Sequence, residues 1–343
     1  MRKAIRLFVF MVMAVPVSAQ QVADTSYRFD NPNPAYESGA GPQVCIDEAH
    51  FNFHTAEGRY KAFAELLRGD GYKVKGFASA FSQKTLSECQ ILVIANALSK
   101  ANSHGMEREW ALTDWSFPHP SAFTREEINA LVTWIREGGS LFFIVDHAPW
   151  PGAATDLATL LGVHMLDGST RSSADAPGDV VFGAVHEELW QQAARAYGIP
   201  YEQLRPILAN AGTLESHPIV KGRTPQEQID SVVTFTGHAF YPSANVEPIL
   251  VFGPKAVCQV PLKLNFEDAS WEDGPQFSVG GWLQGAALRL GEGRVVILGE
   301  AAMCTAQVEG PNRTPMGMNT PVALQNAQFC LNVVRWLSGL LGE

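Results

Sequence analysis

Short, wholly apolar runs recur along the chain, separated by amphipathic stretches. Val44-Cys45-Ile46, Ile91-Leu92-Val93-Ile94-Ala95 and Leu141-Phe142-Phe143-Ile144-Val145 contain no polar interruption, as expected of strands buried on both faces. Tyr72-Lys73-Val74 opens another strand. Between them, Thr55 is placed to cap a helix with Tyr60, Phe63, Leu66 and Leu67 on one face, stopped at Gly69 or Gly71. Thr124-Arg125-Glu126-Glu127 is a capping box, and Ile128, Leu131, Val132 and Ile135 follow at helical spacing up to Gly138-Gly139. Pro149 and Pro151 introduce a further helix ending near Leu160-Leu161-Gly162. Strands return at 232–236 and 249–252. Residues 286–290 and 294–298 read as a hairpin closed at Gly291-Glu292-Gly293. The last helix places Phe329, Val333, Trp336 and Leu340 on its apolar face.

This alternation predicts one α/β domain over residues 43–340, its sheet mostly parallel and helices on both faces. Ile46, Val93, Phe143 and Val296 are expected in neighbouring parallel strands. Two insertions break the rhythm. Residues 98–122 hold Trp110, Trp115 and Phe117, which predict an aromatic lid over one end of the sheet. Residues 167–230 are rich in Gly, Ser and Asp at first, with a helix around 185–196. Residues 20–42, with Asn31-Pro32-Asn33-Pro34 and Gly39-Ala40-Gly41-Pro42, read as an N-terminal arm that lies on the domain or is disordered.

The first nineteen residues stand outside the fold. Arg2, Lys3 and Arg6 precede a short apolar run, and Val17-Ser18-Ala19 supplies a small residue for cleavage before Gln20, the order of a secretory signal peptide. The expected location is therefore periplasmic or secreted, with no later membrane span. Export gives the five cysteines weight. No C-x-x-C pair is present. Cys45 and Cys330 read as buried and inert, whereas Cys258 and Cys304 lie in loop-like contexts as candidates to pair. Overall the 343 residues are 46% hydrophobic and 17% charged, an ordinary globular mixture. The net charge of -10, without a basic block, argues against nucleic-acid or anionic-membrane binding.

Polar residues collect where the predicted strands end, which is where open α/β sheets bind ligands. Glu48, His50, Asn52 and His54 follow the first strand together with Asp47; Asn96 follows the third; Asp146 and His147 follow 141–145; His238 follows 232–236; Glu300 follows 294–298. Each has an ordinary structural reading as a cap, a turn residue or a packed histidine. Their shared edge points to a pocket. Glu48 and Asp146 are candidate general bases, with Glu300 a third carboxylate for acid–base work. His147 is a candidate acid or orienting group. His50, Asn52, His54, Asn96, Trp115, His238 and Glu300 are candidate ligand contacts. No G-x-S-x-G, Walker A or G-x-G-x-x-G motif is present, which disfavours a serine hydrolase, ATP, NAD and FAD. No cofactor is expected. A divalent metal stays open, because His50 and His54 have i, i+4 spacing, although not as H-E-x-x-H.

At these motifs the chain resembles a bacterial family, domain of unknown function 4350. Residues 46–54 (Ile-Asp-Glu-Ala-His-Phe-Asn-Phe-His) resemble its opening motif. Gly138-Gly139-Ser140 through Asp146-His147 resemble its second block, and Gly293 through Glu300 with the 326–337 stretch its third. The resemblance implies a flavodoxin-like fold of the class I glutamine amidotransferase-like superfamily. True amidotransferases carry a nucleophilic cysteine at the turn where this chain has Asp146-His147, so glutaminase activity is not implied. A similarity to the trehalose-utilisation-like branch, at Gly-Gly…His, implies a carbohydrate or other polyhydroxylated ligand. The expected function is a secreted amidotransferase-like hydrolase acting on such a molecule. The alternative is a non-catalytic module binding a small ligand, a glycan or a partner protein.

Overall fold

The computed structural model describes residues 21–101, 118–174, 180–184, 187, 191, 194–195, 200–202, 212–243, 245–265, 270–310 and 312–342. The leader, the Trp110/Trp115/Phe117 lid and most of the 185–196 helix lie outside these residues. A twelve-stranded sheet forms the centre. Its strands are β1 (Gln43–Asp47), β2 (Lys73–Phe77), β3 (Ile91–Ala95), β4 (Ser140–Ile144), β5 (Val163–Met165), β6 (Val180–Gly183), β7 (Gly212–Leu214), β8 (Ser231–Thr234), β9 (Phe240–Pro242), β10 (Glu247–Phe252), β11 (Leu283–Leu290) and β12 (Gly293–Leu298). The main path runs β8-β6-β7-β10-β11-β12-β4-β3-β1-β2, and β9 joins β11 to β5.

Only one half of this sheet matches the expected mostly parallel arrangement. β12, β4, β3, β1 and β2 are parallel neighbours, but β11 joins β12 as an antiparallel hairpin, and β10 and β9 also run antiparallel to β11. The sheet is mixed. The cause is the tight Gly291-Glu292-Gly293 connection: a hairpin reverses direction, so β11 runs against β12, and the strands beyond it pair mostly antiparallel, with β6 and β7 a parallel exception.

The parallel half is covered on both faces. α1 (Lys61–Gly69) and α4 (Asn326–Leu337) pack with Val44, Ile46, Val93, Phe142 and Val296 on one side. α2 (Arg125–Arg136) and α3 (Trp150–Leu160) pack with Cys45, Leu92, Ile94, Phe143 and Ile297 on the other. Alternate residues of each strand thus enter different cores, which is why these strands read as continuous apolar runs. Ile46, Val93, Phe143 and Val296 are at most 1% exposed. The Thr124/Glu127 capping box forms as expected. Thr55 does not cap α1. The Thr55 carbonyl instead accepts from Gly58 and Tyr60 in a turn, and the helix starts at Lys61.

The cysteine pairing also differs from expectation. Cys45 bonds to Cys89 and Cys304 to Cys330, leaving Cys258 buried and free. Two cysteines that read as inert core are brought to partners by the tertiary fold rather than by loop exposure. The described part of the N-terminal arm packs on the domain: Val22–Ala23 pairs with Gln307 and Val308. Further on, Asn31 and Ala35 donate to Asp70, whose carboxylate is held by the fully buried Arg335. Among the described residues, no helix is long and apolar enough to cross a membrane.

Candidate functional site

Because β1, β3, β4 and β12 are parallel and nearly in register, the residues that follow them share one edge. Two linked groups of side chains form there. In the first, Asp47 ends β1 and is fully buried. It accepts from His50 Nδ1 at 2.9 Å, Asn52 Nδ2 at 2.9 Å and the Ala49 amide at 3.1 Å. The other imidazole nitrogen, Nε2, lies 3.0 Å from Glu127 Oε1. Glu127 is the capping-box residue of α2, so the helix N-terminus fixes the carboxylate that holds the histidine. Burial alone would lower the His50 pKa, but the bonds and charges of Asp47 and Glu127 outweigh it and hold it above the ordinary imidazole value. The same pairing helps keep the Glu127 carboxyl below its ordinary value despite its burial.

In the second group Asn96 sits in the left-handed region at φ 53°, a conformation asparagine tolerates. Its side-chain oxygen accepts from the Asp146 amide at 2.9 Å, and its Nδ2 meets His54 Nδ1 at 3.3 Å. Burial, aided by Arg59, pushes the His54 pKa well down and keeps the ring neutral. Asp146 accepts from the His147 amide at 2.7 Å, Thr236 Oγ1 at 3.0 Å and the Ala301 amide at 3.3 Å. Asp146 is thus an anchor that ties β4 to the 236 and 301 loops. The half-buried His147 ring donates from Nδ1 to the Ala148 carbonyl, 2.8 Å away, and lies edge-on to Trp150.

Glu300 is fully buried and accepts the Ala302 and Met303 amides at 2.8 and 2.7 Å, capping the short 3-10 turn Ala302–Cys304. Burial and the nearby Asp146 charge raise its pKa well above the carboxylate range. His238 is also fully buried, and burial lowers its pKa to about 4. Glu48 turns the other way: its Oε1 accepts from the Ala56 amide at 2.9 Å, and its carboxylate fills the space over Gly76 of β2. No described contact joins Glu48 to Asp146 or Glu300. Trp115 lies outside the described residues. Among the described residues, no group of three or more His, Cys, Asp or Glu side chains is arranged to hold a metal ion.

The first group opens to solvent in a cleft of about 390 Å³, lined among others by His50, Phe51, Ser99, Ser121, Thr124 and Glu127. Phe51 has φ 48° and is 39% exposed. For a bulky aromatic residue this conformation costs on the order of 1–3 kcal/mol, and such outliers concentrate at ligand sites. Sequence reading placed Phe51 only within a motif; no sequence signal gives its φ. A second pair it did not select is His119 and Asp167, 2.6 Å apart and 48 residues distant in sequence.

No family model matches the chain, and no curated protein matches it. Among solved structures, the mmIFT52 N-terminal domain is 12% identical with TM-score 0.52, covering 86% of this chain and 97% of its own. A ThuA-like protein of Bacteroides uniformis is 14% identical over 90% of this chain and 94% of its own, with TM-score 0.43. A cytoplasmic protein of Salmonella typhimurium LT2 is 11% identical over 86% and 98%, with TM-score 0.45. At such identity, the first of these likenesses shows a shared fold and nothing about activity.

Proposed function

We propose that the chain is an exported domain of the class I glutamine amidotransferase-like superfamily, akin to the domain of unknown function 4350 family, that binds a small hydroxylated, carbohydrate-like ligand in the Phe51 cleft. The observation that carries this reading is Phe51 itself: an aromatic ring held exposed at φ 48° beside His50 in an open cleft. A flat ring suits the C–H face of a sugar, and the hydroxyls of Ser99, Ser121 and Thr124 with the His50–Glu127 pair suit its hydroxyl groups. Binding is favoured over hydrolysis by the state of the nominated acids. Asp146 and Glu300 already accept backbone amides within the fold, and Glu48 is turned to Gly76. A general base needs a free approach to the proton it removes. Export is supported by the leader-like first nineteen residues and by two disulfides, which suit an oxidising compartment.

The test is a titration with cellobiose and maltose, followed by calorimetry and by amide chemical shifts. Shifts are expected at 49–53 and 121–127, and Phe51→Ala should weaken binding at least tenfold without lowering the melting temperature. A Phe51→Ala variant that binds either sugar as tightly as the parent protein would overturn the assignment.

A further inference from the structure

His50 spans the two walls of the Phe51 cleft. One wall is the turn at 49–51, just after β1. The other comes from 121–127, the approach to α2 and its first turn. The ring is bracketed by a carboxylate on each nitrogen. Nδ1 lies 3.0 and 2.9 Å from the two oxygens of Asp47, and Nε2 lies 3.0 Å from Glu127 Oε1. The Nε2–Glu127 contact therefore joins one wall to the other. The remaining neighbours of both carboxylates are donors. Asp47 also accepts from Asn52 Nδ2 and the Ala49 amide. Glu127 accepts from the Phe81 amide on Oε1, and from the Thr124 amide and hydroxyl on Oε2. Such surroundings suit two ionised groups.

An imidazole can donate at both nitrogens only as the imidazolium; the neutral ring has one N–H and one lone pair. Losing the proton thus sets a lone pair against a carboxylate oxygen. Asp47 is the partner that stays. Its side chain is fully buried and meets Nδ1 with both oxygens, whereas Glu127 is 13% exposed and holds its place through Thr124. The contact given up is the one between the walls. The other groups packed on the ring carry no charge: Phe81 and Phe123 meet it at 4.4 and 4.9 Å between centroids. Arg125 and Glu126, in the first turn of α2, are exposed, and Lys100 adds one more charge to the described lining.

We infer that the His50–Glu127 contact is a pH-operated clasp on the Phe51 cleft: closed in acid, it holds the walls at the spacing a sugar needs, and open in base, it lets them part. The inference rests on the sugar site proposed above and adds its regulation. Cellobiose affinity, read by calorimetry from pH 5 to pH 9, should fall at least roughly tenfold as pH rises through the His50 titration, because the ligand then has to restore the closed walls itself. By linkage, saturating cellobiose should raise the His50 ring pKa, read by NMR, by about one unit for each tenfold of that fall. Without ligand, the amide signals of 121–127 should titrate with the midpoint of the His50 ring. Glu127→Gln places an amide N–H opposite Nε2, from which the neutral ring can accept, so the affinity of this variant should vary less than about twofold over the same range. Affinity that stays constant or rises with pH, amides of 121–127 that ignore the His50 titration, or a folded Glu127→Gln variant with the parent's pH profile would each overturn the clasp. The amide titration decides the matter in the parent protein if Glu127→Gln does not fold. Failure of cellobiose and maltose to bind at any pH would instead remove the sugar site, and the same ligand-free titration would still decide whether the clasp exists.

Discussion

His50→Phe removes the imidazole that joins Asp47 to Glu127 while keeping a ring of similar size. The new ring would still pack on Phe81 and Phe123, whose centroids lie 4.4 and 4.9 Å from that of His50. Asp47, with a fully buried side chain, keeps Asn52 and the Ala49 amide but loses its imidazole partner. Breaking one side of a buried pair costs about 3–5 kcal/mol, and the two remaining donors put this case near the low end. At about 2 °C per kcal/mol for a large domain, the melting temperature falls by roughly 6 °C. The pH dependence carries the sharper test. His50 has a folded pKa above 6.5, so its contribution is complete below pH 6.5 and is lost as pH rises through the folded value. Glu127 has a folded pKa below 4.5, so its share is complete above pH 4.5 and is lost as pH falls through the folded value. Urea denaturation of parent and variant should therefore differ most between pH 4.5 and 6.5 and converge towards pH 9. A stability difference that stays constant from pH 5 to pH 9 refutes the charged bridge.

Further outcomes follow from the same geometry. Denatured without reductant, the chain should release one reactive thiol, from Cys258, and removing both Cys304 and Cys330 should cost about 3–4 kcal/mol in urea melts, given the 26-residue separation they close. Arg335→Met should cost about 3–5 kcal/mol by leaving buried Asp70 without its guanidinium partner, and Asp70→Asn in the same background should recover part of that loss. Glu300→Gln should destabilise the domain by about 1–3 kcal/mol, because an amide NH₂ would face either the Ala302 or the Met303 N–H; unchanged stability would show that the 3-10 turn does not depend on this carboxylate.

The parallel half of the sheet was legible because burial on both faces leaves a mark in one dimension: 91–95, 141–145 and 295–298 are unbroken apolar runs. The antiparallel half was less so. Strands such as Gly212–Leu214 and Phe240–Pro242 are three residues long, too short for any period to show. The gathering of Asp47, Asn96, Asp146 and Glu300 at one edge could be read from strand ends alone. Side-chain direction could not, and it separates Asp146, which anchors two loops, from Glu48, which covers Gly76. Cys45 found Cys89 through packing, with no cue in spacing. His119 was passed over because it stands at the end of an aromatic-rich insertion, and its partner Asp167 comes from a different segment.

The most direct test of the central claim is a histidine-detected NMR titration of the ring-labelled protein with cellobiose, run beside a turnover assay on aryl glycosides. Ligand binding in the Phe51 cleft predicts that the His50 ring signals move saturably, that Phe51→Ala abolishes the movement, and that no aryl glycoside is cleaved. Hydrolysis that disappears in a folded Asp146→Asn variant, with His50 unmoved by the sugar, would contradict it.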